Sequence, residues 1–125
     1  MQGRSEMNIK RINTGKRMSQ AVVYQGQVTT AGQVAQATAG EDVATQTVEV
    51  LRKIDQLLAE AGTDKSHLLT AQIWLSDMKH FSAMNEVWDE WVIAGSTPTR
   101  ACVESRLAVS SLAVEIAVTA AVMTS

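Results

Sequence analysis

Three residues in the last third of the chain have types and spacing that could do chemistry: Arg100, Cys102 and Glu115. In Thr97-Pro-Thr-Arg100-Ala-Cys102-Val-Glu104 the arginine and the sole cysteine are two residues apart, so on a strand they share a face. Glu115 interrupts the otherwise apolar run Ala113-Val-Glu115-Ile-Ala-Val-Thr-Ala-Ala121. A carboxylate in such a run must be paired, protonated or chemically employed, because a buried unpaired charge is expensive. Guanidinium, thiol and carboxylate brought together on one sheet would make a small polar pocket. The competing assignment for Arg100 is a structural ion pair with Glu104 or Glu115.

The elements that must position these residues are legible from periodicity. Asn8 to Asn13 alternates weakly, as a short edge strand would. Ala21 to Tyr24, Gln25-Gly26 and Gln27 to Thr30 read as a hairpin with Gly26 in the turn. Gly32 follows at once, where a glycine either ends the strand or lets the backbone approach a ligand or another chain. Val43, Val50, Leu51, Ile54, Leu57, Leu58 and Ala61 fall on one stripe, which predicts an amphipathic helix over 42–61. Its polar positions include Gln46, Glu49, Arg52, Lys53 and Glu60. Asp42 or Thr38 would cap its start, and Gly62 its end. Leu68 to Leu75 reads as a strand. Phe81 to Ile93 reads as a second helix with Trp88 and Trp91 as apolar anchors. Thr99 to Leu107 and Leu112 to Val122 complete a six-stranded mixed sheet, joined by a turn near Ser110-Ser111.

The order β-β-β-α-β-α-β-β predicts an α+β domain with both helices on one face of the sheet. On the last strand Val114, Ile116 and Val118 suit the helix-packed face. The other face, Ala113, Glu115, Ala117, Thr119 and Ala121, is small and carries one acid. Two helices cover one face of such a sheet, so the second face is expected to be buried against other copies of the chain.

The composition narrows the class. A chain of 125 residues fits a single domain over 1–125, with residues 1–6 as an expected N-terminal extension before Met7. Hydrophobic residues make up 46% and charged residues 19%, an ordinary globular balance. Eleven basic and thirteen acidic residues leave a net charge of -2, unlike the basic footprint of a nucleic-acid binder. His67 and His80 have no partner at metal-ligand spacing, so no metal site is expected. A single cysteine and no long apolar run fit a soluble cytoplasmic protein without membrane contact.

The pattern Ser19-Gln-Ala-Val, Gly26, Thr30-Ala-Gly32-Gln33, Phe81-Ser-Ala-Met-Asn85, Thr97-Pro-Thr-Arg100-Ala-Cys102-Val-Glu104 and Val114-Glu115-Ile116 resembles the reactive intermediate deaminase family. This is the Rid/YjgF group, also called the L-PSP or translation-inhibitor family, and the likeness runs from about Met7 to Val122. It implies a chorismate-mutase-like fold, a homotrimer with pockets between subunits, and no cofactor. The implied activity is hydrolysis of reactive enamines and imines to 2-keto acids and ammonia. Carried over residue by residue, Arg100 would bind the substrate carboxylate and Glu115 would hold or activate water. Gly32 would offer its backbone N–H, Cys102 would line the pocket as a wall residue, and Asn85 would support it. Met18 and Ala31 stand where the family has tyrosine and serine, so the pocket loses two polar contacts.

Two functions of different kind follow. One is the deaminase; the other is a non-catalytic module that binds or senses a small keto acid through Arg100. A ribonuclease, suggested by the older family label, lacks a histidine pair and a basic stripe.

Overall fold

The computed structural model describes residues 8–122; the extension expected at 1–6 lies outside the described residues. The chain runs β1 (Lys10–Thr14), β2 (Ser19–Tyr24), β3 (Gln27–Thr30), β4 (Gln33–Val34), α1 (Val43–Ala61), β5 (Leu68–Leu75), α2 (Phe81–Trp91), β6 (Thr99–Glu104) and β7 (Val114–Ala121). Single 3-10 turns at Lys65–His67 and Met78–His80 lead into β5 and α2.

The sheet has seven strands rather than the expected six. Its order is β1-β2-β3-β7-β5-β6, with β4 also paired to β7, and only β5 and β6 run parallel. The seventh strand arises because β3 and β4 are one strand interrupted. Thr29 pairs with Thr119, whereas Gln33 pairs with Ile116, so the stretch between them holds one residue more than its partner. That is a β-bulge at Ala31-Gly32, a device that bends a strand and re-aims side chains beside a site. The β2–β3 hairpin turns on Gln25 and Gly26, both at positive φ (50° and 77°), as a two-residue primed turn requires.

Both helices lie on one face, as expected. Val28, Ala71, Ile73, Leu75, Val114, Ile116, Val118 and Ala120 supply the sheet side of the core. Val50, Ile54, Leu57 and Leu58 of α1 and Met84, Trp88 and Trp91 of α2 close over it. The two tryptophan rings sit 5.3 Å apart, and Trp91 donates its indole N–H to Asp55, locking α2 to α1. Asp42 caps α1 through Thr45 N–H, and Gly62 ends it in the left-handed region at φ 90°.

Several boundaries move. β1 is Lys10–Thr14 rather than 8–13. The second helix stops at Trp91, because Val92 turns extended while its N–H still reaches Trp88 O. β6 ends at Glu104, where the chain bends away after Ser105 N–H bonds Leu75 O. β7 begins only at Val114, because Ala113 N–H is taken by the side chain of Gln46.

Gln46 and Glu49 are also not on a solvent face: both are buried. Gln46 accepts from Ala113 N–H and donates to Glu41 O and Ser111 O, tying two loops to α1. Glu49 accepts from Ala37 N–H, Thr38 N–H and Thr38 Oγ1, and lies 3.4 Å from Lys53 Nζ. Lys53 in turn donates to Val34 O at 2.7 Å, holding the strand just past the bulge. Burial opposes the charge of Glu49, yet the hydrogen bonds from Thr38 and Ala37, with Lys53 beside it, hold its pKa below the ordinary value.

A carboxylate with a depressed folded-state pKa stabilises fully above its unfolded value and loses that contribution as pH falls through the folded one. Glu49→Gln is therefore expected to cost about 2 kcal/mol at neutral pH and to flatten the acid limb of stability against pH, measured by urea unfolding from neutral pH downward.

Candidate functional site

Arg100 lies opposite Ala71 on β5, which lies opposite Val118 on β7, so its side chain takes the helix-packed face. There its Nη1 donates to Asn85 Oδ1 at 2.7 Å. Its guanidinium carbon sits 5.3 Å from the Trp88 ring centre and 5.8 Å from that of Phe81. Phe81, Asn85 and Trp88 are spaced i, i+4, i+7 on α2, so one helix face builds the whole cradle. The aromatic faces steady the cation without neutralising it, and the amide satisfies one donor.

Among the described residues no carboxylate pairs with Arg100. Glu104 is used elsewhere, accepting from Met78 N–H at 2.8 Å. Glu115 is on the other side of the sheet. A half-buried guanidinium with several free donors and no counter-charge among the described residues has the chemistry to take an anion, and its planar fork matches a carboxylate. The ion-pair alternative for Arg100 does not hold within the described chain.

Glu115 pairs with Trp74 and Val34 on the face that no helix covers. Its carboxylate occupies the space where Gly32 lacks a side chain. A Cβ built on Gly32 would fall on Glu115 Oε2 and lie 2.8 Å from Cδ and 3.0 Å from Cγ. Gly32 thus contributes space rather than a special backbone angle, and a Cβ there would require the Glu115 side chain to move. The bulge and the absent Cβ together set the acid against the Gly32 backbone.

The structure brings Arg100 to Asn85 and Cys102, and Glu115 to Gly32, but it does not bring these two groups together in one chain. The single pocket expected from three residues on one sheet does not form within one chain, because Arg100 and Cys102 take one face and Glu115 the other. The reason is register: Arg100 is in the row of Val118, and Glu115 has the opposite parity on β7.

Met18 is 47% exposed and lines a cavity of about 410 Å³ with Gly32, Gln20 and Gln33. Ala31 continues the β2–β3 ladder, its N–H bonding Gln20 O at 2.8 Å. Cys102 packs against the core beside Arg100. Burial pushes its thiol above the ordinary 9.0, outweighing the opposing pull of the Arg100 charge, so it is a protonated wall at neutral pH. Sequence reasoning missed the aromatic cradle of Arg100, although the Phe81, Asn85, Trp88 spacing carried the signal. It also missed Gln20 and Gln33, whose side chains meet across the bulge with no periodic mark.

The uncovered face carries a row of threonines, Thr29, Thr119, Thr70 and Thr99, with Thr70 and Thr119 hydroxyls 2.7 Å apart. With Ala117, Gln72 and Ala101 they line a concavity of about 430 Å³. Among the described residues no helix is long and apolar enough to cross a membrane.

Comparison with known proteins places this geometry. Residues 8–122 match the family model described as endoribonuclease L-PSP. A RutC family protein of Haemophilus influenzae is 45% identical over 91% of this chain and 98% of its own length. A crystal structure of a YjgF family member from Neisseria meningitidis superposes with a TM-score of 0.91 at 47% identity, covering 96% of this chain and 99% of that one. A protein of the conserved Rid family from Yersinia pestis superposes at 0.83 with 27% identity, covering 92% of this chain and all (100%) of its own. The chain belongs to the L-PSP family, the group also named YjgF and Rid.

Two outcomes test the geometry. Gly32→Ala should lose about 1–3 kcal/mol by overpacking against Glu115, and Glu115→Ala in the same chain should recover most of it, read by a double-mutant cycle of thermal unfolding. Alkylation of Cys102 by iodoacetamide should be slow at neutral pH and accelerate only above the ordinary thiol range, followed by mass spectrometry.

Proposed function

We propose that this protein hydrolyses reactive enamines and imines to 2-keto acids and ammonia, without a cofactor, in a cleft between subunits of a cytoplasmic homotrimer. The carrying observation is the half-buried Arg100 guanidinium, oriented by Asn85 and two aromatic rings and lacking a counter-charge among the described residues. The single domain would have the chorismate-mutase-like arrangement, with its uncovered sheet face turned inward against its neighbours. The small residues of that face, with half-buried Trp74 and exposed Val103, support this. Because Arg100 and Glu115 occupy opposite faces of one sheet, each cleft takes Arg100, Cys102 and Asn85 from one protomer. Its neighbour contributes Glu115, Gly32, Ala31 and Met18.

In this cleft Arg100 grips the carboxylate and fixes the imine carbon, while the Gly32 N–H adds a second anchor. Glu115 accepts a proton from water as the oxygen bonds to the imine carbon, giving a carbinolamine. The acid passes that proton to nitrogen, then moves the carbinolamine's hydroxyl proton to the same nitrogen as the C–N bond breaks, so ammonia carries both water protons away and the keto group forms. Positioning with acid–base assistance is sufficient for a substrate that already hydrolyses unaided. Cys102 contributes packing, which its raised thiol pKa supports.

The absence of hydroxyls at Met18 and Ala31 favours a second reading, a keto-acid binding module with the same Arg100 anchor. The two separate on rate. Ammonia release from an oxidase-generated imine should be accelerated by the wild type, and Arg100→Ala and Glu115→Gln should each lower kcat/KM by about a hundred-fold. Refolding the two variants together should restore activity to about a quarter of the sites, since one interface in four then pairs an intact arginine with an intact glutamate. Wild-type rates in both variants would reject the mechanism, and no recovery on mixing would reject the division between subunits.

A further inference from the structure

The cavity beside Gly32 has a second polar end that the hydrolysis itself does not use. Gln33 is buried, and its side-chain nitrogen donates to Ala31 O at 3.1 Å and to Gln20 Oε1 at 3.0 Å. A carbonyl oxygen can only accept, so the first bond fixes which end of the Gln33 amide is nitrogen. The second bond then forces Gln20 to turn its oxygen toward Gln33. The nitrogen of Gln20, with two donors, has no protein partner among the described residues.

Gln20 and Met18 line two adjoining cavities, the one that holds Gly32 and another of about 480 Å³ walled by Lys16 and Arg17. The two therefore form one groove leading from the bulge to the β1–β2 turn. Lys16 and Arg17 are exposed, and neither has an ion-pair or side-chain hydrogen-bond partner among the described residues. Glu60 is the one carboxylate lining the groove, on the α1 wall, where Lys53 also stands. The groove thus offers an apolar stretch at Met18, a fixed pair of N–H donors at Gln20, and two cations at its outer end.

We infer that this groove is a specificity subsite for a second carboxylate, so that the preferred substrates are dicarboxylic 2-imino acids. The α-carboxylate goes to Arg100 of one protomer, the methylenes lie along Met18 of the other, and the distal carboxylate meets Gln20, Arg17 and Lys16. This rests on the deaminase reading for the imine end, but the subsite itself is a binding claim. It also gives the replacement at Met18 a purpose, because a thioether side chain suits methylenes where a hydroxyl would not.

The test compares 2-oxoglutarate with 2-oxopentanoate, which has the same chain length and no distal charge, by calorimetry on the assembled protein. The wild type should bind the dicarboxylate at least ten-fold more tightly, with the ratio shrinking as salt rises. The exposed double variant Lys16→Gln with Arg17→Gln should bring the ratio near one, and Gln20→Leu should lower it about three-fold. Equal affinities in the wild type, or an unchanged ratio in the double variant, would overturn the subsite. Imine hydrolysis assayed in parallel separates the two claims. Acceleration without dicarboxylate preference removes the subsite alone, whereas charge-dependent binding without any acceleration removes the deaminase and leaves the subsite standing.

Discussion

Strand alternation is the constraint on which the rest depends. Side chains of a sheet go to one face or the other, and the register of β5, β6 and β7 assigns Arg100 to the face of Val118 and Glu115 to the opposite one. No rotamer change carries either group through a hydrogen-bonded sheet. A chemistry that needs both must therefore bring two sheets together. A single protomer presents Arg100 at one place and Glu115 at another.

Each half is held by structure that would otherwise be unnecessary. α2 sets Phe81, Asn85 and Trp88 on one face around the guanidinium, and Trp91, on the adjoining side, locks the helix to α1 through Asp55. At the other half, the bulge displaces the strand, the missing Cβ of Gly32 admits the carboxylate, and Gln33 pins Ala31 O from beneath. Lys53 and Glu49 then clamp the chain beyond the bulge from α1. Buried polar groups used this way fix a single backbone geometry, provided that each is satisfied, and among the described residues none of the buried side-chain nitrogens or oxygens lacks a partner.

Much of this was legible in the sequence, for identifiable reasons. The helices announced themselves through the stripes Val50-Ile54-Leu57 and Met84-Trp88-Trp91, and the hairpin through Gln25-Gly26, because these are local signals. The shared face of Arg100 and Cys102 followed from spacing alone. Three features were not readable. The two-residue β4 hides behind a bulge, and a bulge has no pattern of its own. Gln46 and Glu49 look like solvent positions because periodicity scores them as polar, although they are buried to serve loop backbone groups far along the chain. The separation of Arg100 from Glu115 depends on the pairing register of strands some fifteen residues or more apart, which no local pattern encodes.

The central claim is that the uncompensated guanidinium of Arg100 waits for a substrate carboxylate at a junction completed by another copy of the chain. A crystal structure of the assembled protein with a bound 2-keto acid measures this directly. The account requires the ligand carboxylate in a bidentate contact with Arg100 of one protomer, and its keto group within hydrogen-bond distance of Glu115 and the Gly32 N–H of the neighbour. A ligand bound away from Arg100, or Arg100 and Glu115 meeting it from the same chain, would contradict it.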